Sequence, residues 1–384
     1  MGTSEPGHVR RNLALVVTAS ALVAGALVAP AQATDPIKPV RFLRLAPEPR
    51  AGVQAIDVPL RSEFRPGAGG RYRTPRMGAS AFSMVGFTWP SGDARLRVRV
   101  RTDGRWGTWQ TAEPLADLPD SSSGERAGGR SGTELAWVGG SDGVQVESEA
   151  APVRDLEMTL IEPGGEPRPT TRPAASRPRP ARAPWPAGLR SREDWGADER
   201  LRDGRPGYNR TIQQVHVHHT VSSNRYTRAQ VPGMIRGIYR YHTQSLGWSD
   251  IAYNFLVDRF GRSWVGRAGG PGKPVRGAHT LGFNTTSTGI AVIGNYETAH
   301  PSNKVITAIV QIAAWKLDKY GRNPEGTAKV YSHGSDRFPA GRRVRLPVID
   351  GHRDTNDTAC PGGRLYAKLP NIRRRTAQRI SYYN

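Results

Sequence analysis

The chain has 384 residues, a formal net charge of +22 and a sequence pI near 10.9. That length is enough for two domains, and that charge points to a polyanionic partner, either nucleic acid or an anionic cell envelope. The single cysteine, Cys360, excludes an internal disulfide and leaves a reactive thiol, an intermolecular bridge, an inert core residue or a metal ligand. At the N-terminus Arg10-Arg11 precede an apolar run from Leu13 to Val28, then Ala31-Gln32-Ala33. This is the layout of a secretory signal peptide spanning 1–33. The run is short and rich in small residues, so no stable membrane anchor is expected after cleavage. Arg10-Arg11-Asn12-Leu13 also fits a twin-arginine signal, and the two export routes stay open. Export favours the envelope over nucleic acid, and no basic helix has base-reading spacing.

Residues 35–162 read as a small all-β sandwich domain. Strands are predicted over Phe82 to Trp89, Leu96 to Val100, Gly143 to Val146 and Leu156 to Ile161. Asp103-Gly104 is a hairpin signal, with Trp106-Gly107-Thr108-Trp109 as the partner strand. Ser121 to Gly132 reads as a polar loop. Trp106, Trp109 and Trp137 suit the core of a sandwich better than a sugar-stacking surface. No chemistry is recognisable in this domain. Residues 163–188 are a Pro/Arg-rich extended linker, either a solvated spacer or a basic tether for anionic wall polymers.

From Leu189 to the C-terminus strands and helices alternate, which predicts an α/β domain with a mixed central sheet flanked by helices. Ile212 to His219 is a strand ending in histidines. Thr227 to Gln244 is an amphipathic helix with Thr227 as its cap. Strands follow at Tyr253 to Val257 and Ser263 to Val265, turning through Asp258 to Gly261. Thr288 to Gly294 is a central strand, apolar on both faces. A second helix runs from about Ser302 to Tyr320, and a basic last helix from Gly363 to Arg379.

His352 lies eight residues before Cys360, across a polar, turn-rich stretch. An imidazole and a thiolate joined by a short loop make half of a soft metal site. The other half is sought at His218 and His219. Strand alternation puts His216 and His218 on one face and His219 on the other, so at most one of the adjacent pair faces an ion.

Several ordered motifs then agree. They are Ser191-Arg192-Glu193-Asp194-Trp195-Gly196-Ala197, Val217-His218-His219-Thr220, Gly247 to Phe255, Gly277-Ala278-His279 with Asn284, Gly289 to Tyr296, and Gly351-His352-Arg353-Asp354 with Thr358-Ala359-Cys360-Pro361-Gly362. From Arg192 to about Leu369 the chain closely resembles the peptidoglycan recognition proteins and type 2 N-acetylmuramoyl-L-alanine amidases. The resemblance implies a zinc ion (Zn2+) held by His218, His352 and Cys360, with His219 structural or behind the ligands. It implies catalytic roles for Tyr253 and Thr358, steadying a tetrahedral oxyanion while zinc activates water and polarises the amide carbonyl. His279, Asn284 and Trp248 would line the substrate groove. His242 is expected as a satisfied core group, and Asp354 either orients His352 or closes a turn.

The function implied is an exported zinc amidase, secreted or held in the cell wall, acting as a monomer. It would cut the bond between the muramic acid lactyl group and L-alanine of peptidoglycan. The alternatives are a non-catalytic peptidoglycan-binding module, which Cys360, His218 and Tyr253 together speak against, and a zinc peptidase cutting within the stem peptide. Gly266 to Pro274 departs from the family pattern, which leaves the stem-peptide type open.

Overall fold

In the computed structural model the described residues are 41–48, 52–120, 125, 130–165 and 183–384. The predicted signal peptide and most of the predicted linker lie outside them.

The described residues between 42 and 162 form β-strands, with short 3-10 turns at Arg61–Glu63 and Ala68–Gly70. The strand Met77–Trp89 pairs antiparallel with Ala136–Ser148 and Glu157–Glu162, and Glu157–Glu162 pairs in turn with Val53–Pro59. Leu96–Thr102 lies antiparallel to Ala136–Ser148. Alternating apolar residues from these strands, among them Phe82, Phe87, Val98, Val146 and Leu160, close a buried core. The Asp103-Gly104 turn has positive φ at both residues, the backbone that a two-residue hairpin demands. Its partner strand is shorter than predicted: Arg105–Trp106 pairs with Leu96–Thr102, and pairing resumes at Gln110–Ala112. Trp106 and Trp109 are not core residues. They are half-buried and covered by guanidinium groups, with Arg99 5.5 Å from the Trp106 ring and 4.8 Å from the Trp109 ring. Flanking arginines on neighbouring strands make stacking on these rings the better placement than burial. Only Trp137 is buried as expected. At the end of the predicted polar loop, Ser131–Gly132 forms a short strand against Met77–Trp89.

The α/β part has a mixed five-stranded sheet in the order Ser263–Val265, Phe255–Val257, Ser287–Val292, Gln214–His219, Ile349–Gly351. Only the first pair is antiparallel. Ser287–Val292 and Gln214–His219 are buried along their whole length; in the first this matches the apolar run Ile290-Ala291-Val292, while in the second it buries three histidines. The helix Asn303–Lys319 covers one face, and Ser302 caps it by accepting from Val305 N. The helix Val231–Arg240 starts later than predicted, because Pro232 suits a first turn and not a helix interior. Gln230, not Thr227, stands before it, and a π turn at Tyr241–Ser245 ends it. The last helix is interrupted: Gly363–Tyr366 and Leu369–Tyr383 are separate, with Pro370 opening the second.

The two parts share one core. Val53, Met84, Trp137 and Ile161 of the β part pack in a single cluster with Met234, Ile235, Ile238 and Tyr241. The Tyr241 hydroxyl donates to Phe87 O at 2.8 Å. Gly237 permits this approach: a Cβ there would stand 2.3 Å from the Met84 sulfur. Ends of the predicted linker are packed too. Ala183 N donates to Asp318 at 2.7 Å, and the rings of Trp185 and Trp315 lie 4.6 Å apart.

Arg240 donates to Asp57 at 2.7 Å across the same joint. Burial would raise the Asp57 carboxyl, but the hydrogen bond and charge of Arg240 outweigh it and hold the group below its usual 3.8. A depressed carboxyl stabilises the fold above 3.8 and loses that contribution as pH falls through its lowered value. Asp57 is 41 % exposed, so solvent screens the pair, and the contribution is below about 1 kcal/mol. Asp57→Asn is expected to lower the thermal midpoint by about 2 °C near neutral pH. The difference should vanish in acid, below the native value of the carboxyl. Thermal melts of both proteins across pH check this.

Candidate metal centre

Strand register builds the centre. Gln214–His219 and Ile349–Gly351 run parallel, with His216 opposite Asp350 and Val217 opposite Gly351. Parallel strands end on the same edge, and the next step beyond that register sets His218 beside His352. Their ring centroids are 4.6 Å apart. One turn of alternation earlier on the same face, His216 Nδ1 pairs with Asp350 in a fully buried contact.

Cys360 comes in from the loop after His352. Arg353 N donates back to Cys360 O at 2.9 Å, and His219 N donates to the Cys360 sulfur at 3.4 Å. The ligand atoms of His218, His352 and Cys360 all lie within 4.8 Å of one another, and all three residues are buried. His218 turns Nδ1 toward the cluster, 3.8 Å from the sulfur, while its Nε2 meets His279 Nδ1 at 3.1 Å and Thr280 Oγ1 at 3.3 Å. Burial holds the His218 imidazole well below its ordinary value, and that of His352 at about 3, so both rings are neutral with a lone pair to offer. Burial, then the nearby Asp117, pushes the Cys360 thiol up. A divalent cation would reverse that, because coordination deprotonates a thiol outright.

Among the described residues, neither ring nitrogen of His352 has a hydrogen-bond partner. Buried polar atoms are normally partnered, so an orphaned imidazole beside a thiol and a second imidazole fits a borderline-soft ion. Two nitrogens and a sulfur are the donor set of a tetrahedral zinc site with one position open.

The remaining candidates fall in different places. The Tyr253 ring lies 5.8 Å from that of His218, and its hydroxyl donates to Asp117, a residue of the β part. The Thr358 hydroxyl accepts from Cys360 N at 3.1 Å, so it shapes the ligand loop. His219 accepts from Tyr296 N through Nδ1 at 3.1 Å and does not join the donor cluster. His279, Asn284 and Trp248 do not line an open groove: they are 0 %, 0 % and 1 % exposed. His279 backs His218, Trp248 packs on His242 at 4.7 Å, and Asn284 carries the β-part segment at 118–120. His242 is a core group, accepting from Ala252 N at 3.1 Å. Asp354 closes the turn after the strand by accepting from Gly351 N at 2.9 Å, and it also takes the Tyr366 hydroxyl.

Asp117 is the residue that the sequence did not flag. It is 2 % exposed, and its Oδ1 lies 3.1 Å from His218 Nδ1 and 3.3 Å from His352 Nδ1. Burial raises its carboxyl to about 6, against the pull of His352 and the Tyr253 hydroxyl. The signal available was a Pro-flanked, apolar and acidic stretch, Pro114-Leu115-Ala116-Asp117-Leu118-Pro119-Asp120, in an otherwise basic chain. A cavity of about 560 Å³ beside the centre is walled by Pro114 to Leu118 on one side and by His219, His352 and Cys360 on the other.

His218, His352 and Cys360, at the carboxyl edge of a mixed sheet, form a buried His2Cys group that could hold one metal ion. Residues 208–363 match the family described as N-acetylmuramoyl-L-alanine amidase, and residues 47–182 match one described as Rv3811 N-terminal galactose-binding domain-like. The chain is 30 % identical over 184 residues to peptidoglycan-recognition protein SC2 of Drosophila simulans, which spans 47 % of this chain and 83 % of that protein. It is 31 % identical to peptidoglycan-recognition protein LB of Drosophila melanogaster, over 48 % of this chain and 68 % of that protein. The solved structure of wild-type Drosophila PGRP-LB aligns at 27 % identity and a TM-score of 0.37, covering 47 % of this chain and 91 % of that one. The chain belongs to the peptidoglycan recognition protein and type 2 amidase family.

Proposed function

We propose that the chain is an exported zinc-dependent N-acetylmuramoyl-L-alanine amidase, with a signal peptide at 1–33, a β domain at 35–162, a linker at 163–188 and the amidase domain at 189–384. The observation that carries the reading is the convergence of His218, His352 and Cys360 within 4.8 Å, next to a buried tyrosine hydroxyl. A zinc ion there would supply Lewis-acid polarisation of the lactyl-amide carbonyl and activation of the attacking water. His279 fixes the His218 ring by engaging its second nitrogen, so that Nδ1 faces the centre. Burial keeps the Tyr253 hydroxyl protonated, so it serves as a hydrogen-bond donor to developing negative charge and not as a base. Thr358 acts one step removed, holding the loop that presents the thiolate. Peptidoglycan is the substrate, and the +22 charge suits an anionic envelope.

The test is digestion of purified muropeptides by the mature chain, with products identified by mass. Free stem peptide and intact glycan are expected, lost on chelation and restored by zinc. Binding with no cleavage at all in the presence of zinc, even on prolonged incubation, would leave a recognition module. Scission between amino acids would keep the metal centre and discard the amidase.

A further inference from the structure

Residues 113–120 leave the β part and enter the face that carries the ligand candidates. On the β side the strap is anchored by Leu115 N donating to Gly132 O at 3.0 Å and Glu134 N donating to Glu113 O at 2.8 Å. On the other side it takes donors from the 277–284 loop. Gly282 N and Asn284 Nδ2 donate to Asp120 Oδ1 at 2.6 and 3.1 Å, and Asn284 Nδ2 reaches Leu118 O at 3.0 Å. Leu115 and Leu118 pack against the shared core. Between these anchors stands Asp117. One carboxylate oxygen receives the Tyr253 hydroxyl. The other lies 3.1 and 3.3 Å from the two histidine Nδ1 atoms, yet makes a hydrogen bond to neither.

A buried carboxylate oxygen 3.1 and 3.3 Å from two imidazole Nδ1 atoms, on the side of those rings that faces the thiol, has the spacing of atoms that point at one cation. The two histidines lie within 4.8 Å of the Cys360 sulfur, and Asp117 added to that trio would bring the donors to four, the complement of a closed zinc site. A hydrolytic site must keep one position open. We propose that Asp117 is a fourth ligand of this centre and that the strap 113–120 is a built-in plug, so that the chain folds as a latent enzyme. Withdrawal of the strap would free the open position, the Tyr253 hydroxyl and the Asn284 amide together. The inference rests on the zinc reading above, and its test separates the two.

The test uses the mature chain and Asp117→Asn, a near-isosteric change that removes the charged ligand. In cobalt-loaded wild type, azide is expected to leave the visible spectrum unchanged. In the cobalt-loaded variant, azide should shift it, because an exchangeable position has opened. Competition with a chelator should show zinc held about tenfold more weakly by the variant. Muropeptide cleavage should rise about tenfold, as expected if the competent state is a minor fraction of the wild type. An azide shift in wild type as large as in the variant overturns the proposal, as does equal zinc affinity. A variant that loses zinc and cleavage together shows Asp117 to be part of the working centre, which also overturns the plug. If the variant does not fold, the wild-type azide titration decides alone. If neither protein cuts peptidoglycan while the azide and affinity results hold, the plug stands and the amidase reading falls.

Discussion

Cys360→Ser is expected to strip the protein of zinc and to lower amidase turnover by at least about 10²-fold, or about 2.7 kcal/mol of barrier. Serine keeps the size of the side chain and removes the donor: an alkoxide is not available at neutral pH, whereas a thiolate forms as soon as a metal coordinates it. The loop should survive, because its geometry comes from the Thr358 hydroxyl accepting Cys360 N and from Arg353 N donating to Cys360 O. The loss is then chemical and not conformational. His352→Ala should match it, since among the described residues the His352 ring makes no hydrogen bond, and the bonds accepted by its carbonyl survive the change. Metal content per chain and turnover on muropeptides, measured on the same samples, check the prediction. Full zinc and undiminished turnover in Cys360→Ser would remove the thiolate from the account.

Ile235→Ala should destabilise the whole chain by about 3 kcal/mol, within the range for truncating a fully buried aliphatic side chain. Ile235 is 0 % exposed on the helix Val231–Arg240, in the cluster that contains Met84 and Ile161 of the β part. The cavity would therefore open at the joint between the two parts. Because they share that core, both should unfold together, in one transition shifted to lower denaturant. Urea titrations followed by far-UV circular dichroism and by tryptophan fluorescence test this. Two transitions, with the β part unaffected, would show that the parts are independent and that the shared cluster is a passive contact.

The grouping of His218, His352 and Cys360 was legible because these residues are local or motif-bound. His352 and Cys360 are joined by a short loop, and period-two alternation separates His218 from His219. The mixed sheet was legible for a similar reason: strands buried on both faces are long apolar runs, as in Ser287–Val292. What was not legible depends on contacts between distant segments. Asp117 meets Tyr253 across 136 positions of chain, and no local pattern encodes that meeting. The same strap explains why Asn284 is buried where the resemblance implied a groove. Trp106 and Trp109 lie half-buried because arginines on adjacent strands stack over them, which only the sheet order reveals. The late start of Val231–Arg240 shows Pro232 outweighing apolar periodicity, because its ring is tolerated only in a helix's first turn.

X-ray absorption at the zinc edge of the purified mature chain tests the central claim most directly. The account predicts one zinc per chain with a single sulfur scatterer and the remaining neighbours nitrogen or oxygen, and loss of the sulfur shell in Cys360→Ser. A chain that takes up no zinc, or binds it with no sulfur neighbour, would contradict the His2Cys centre and the amidase built on it.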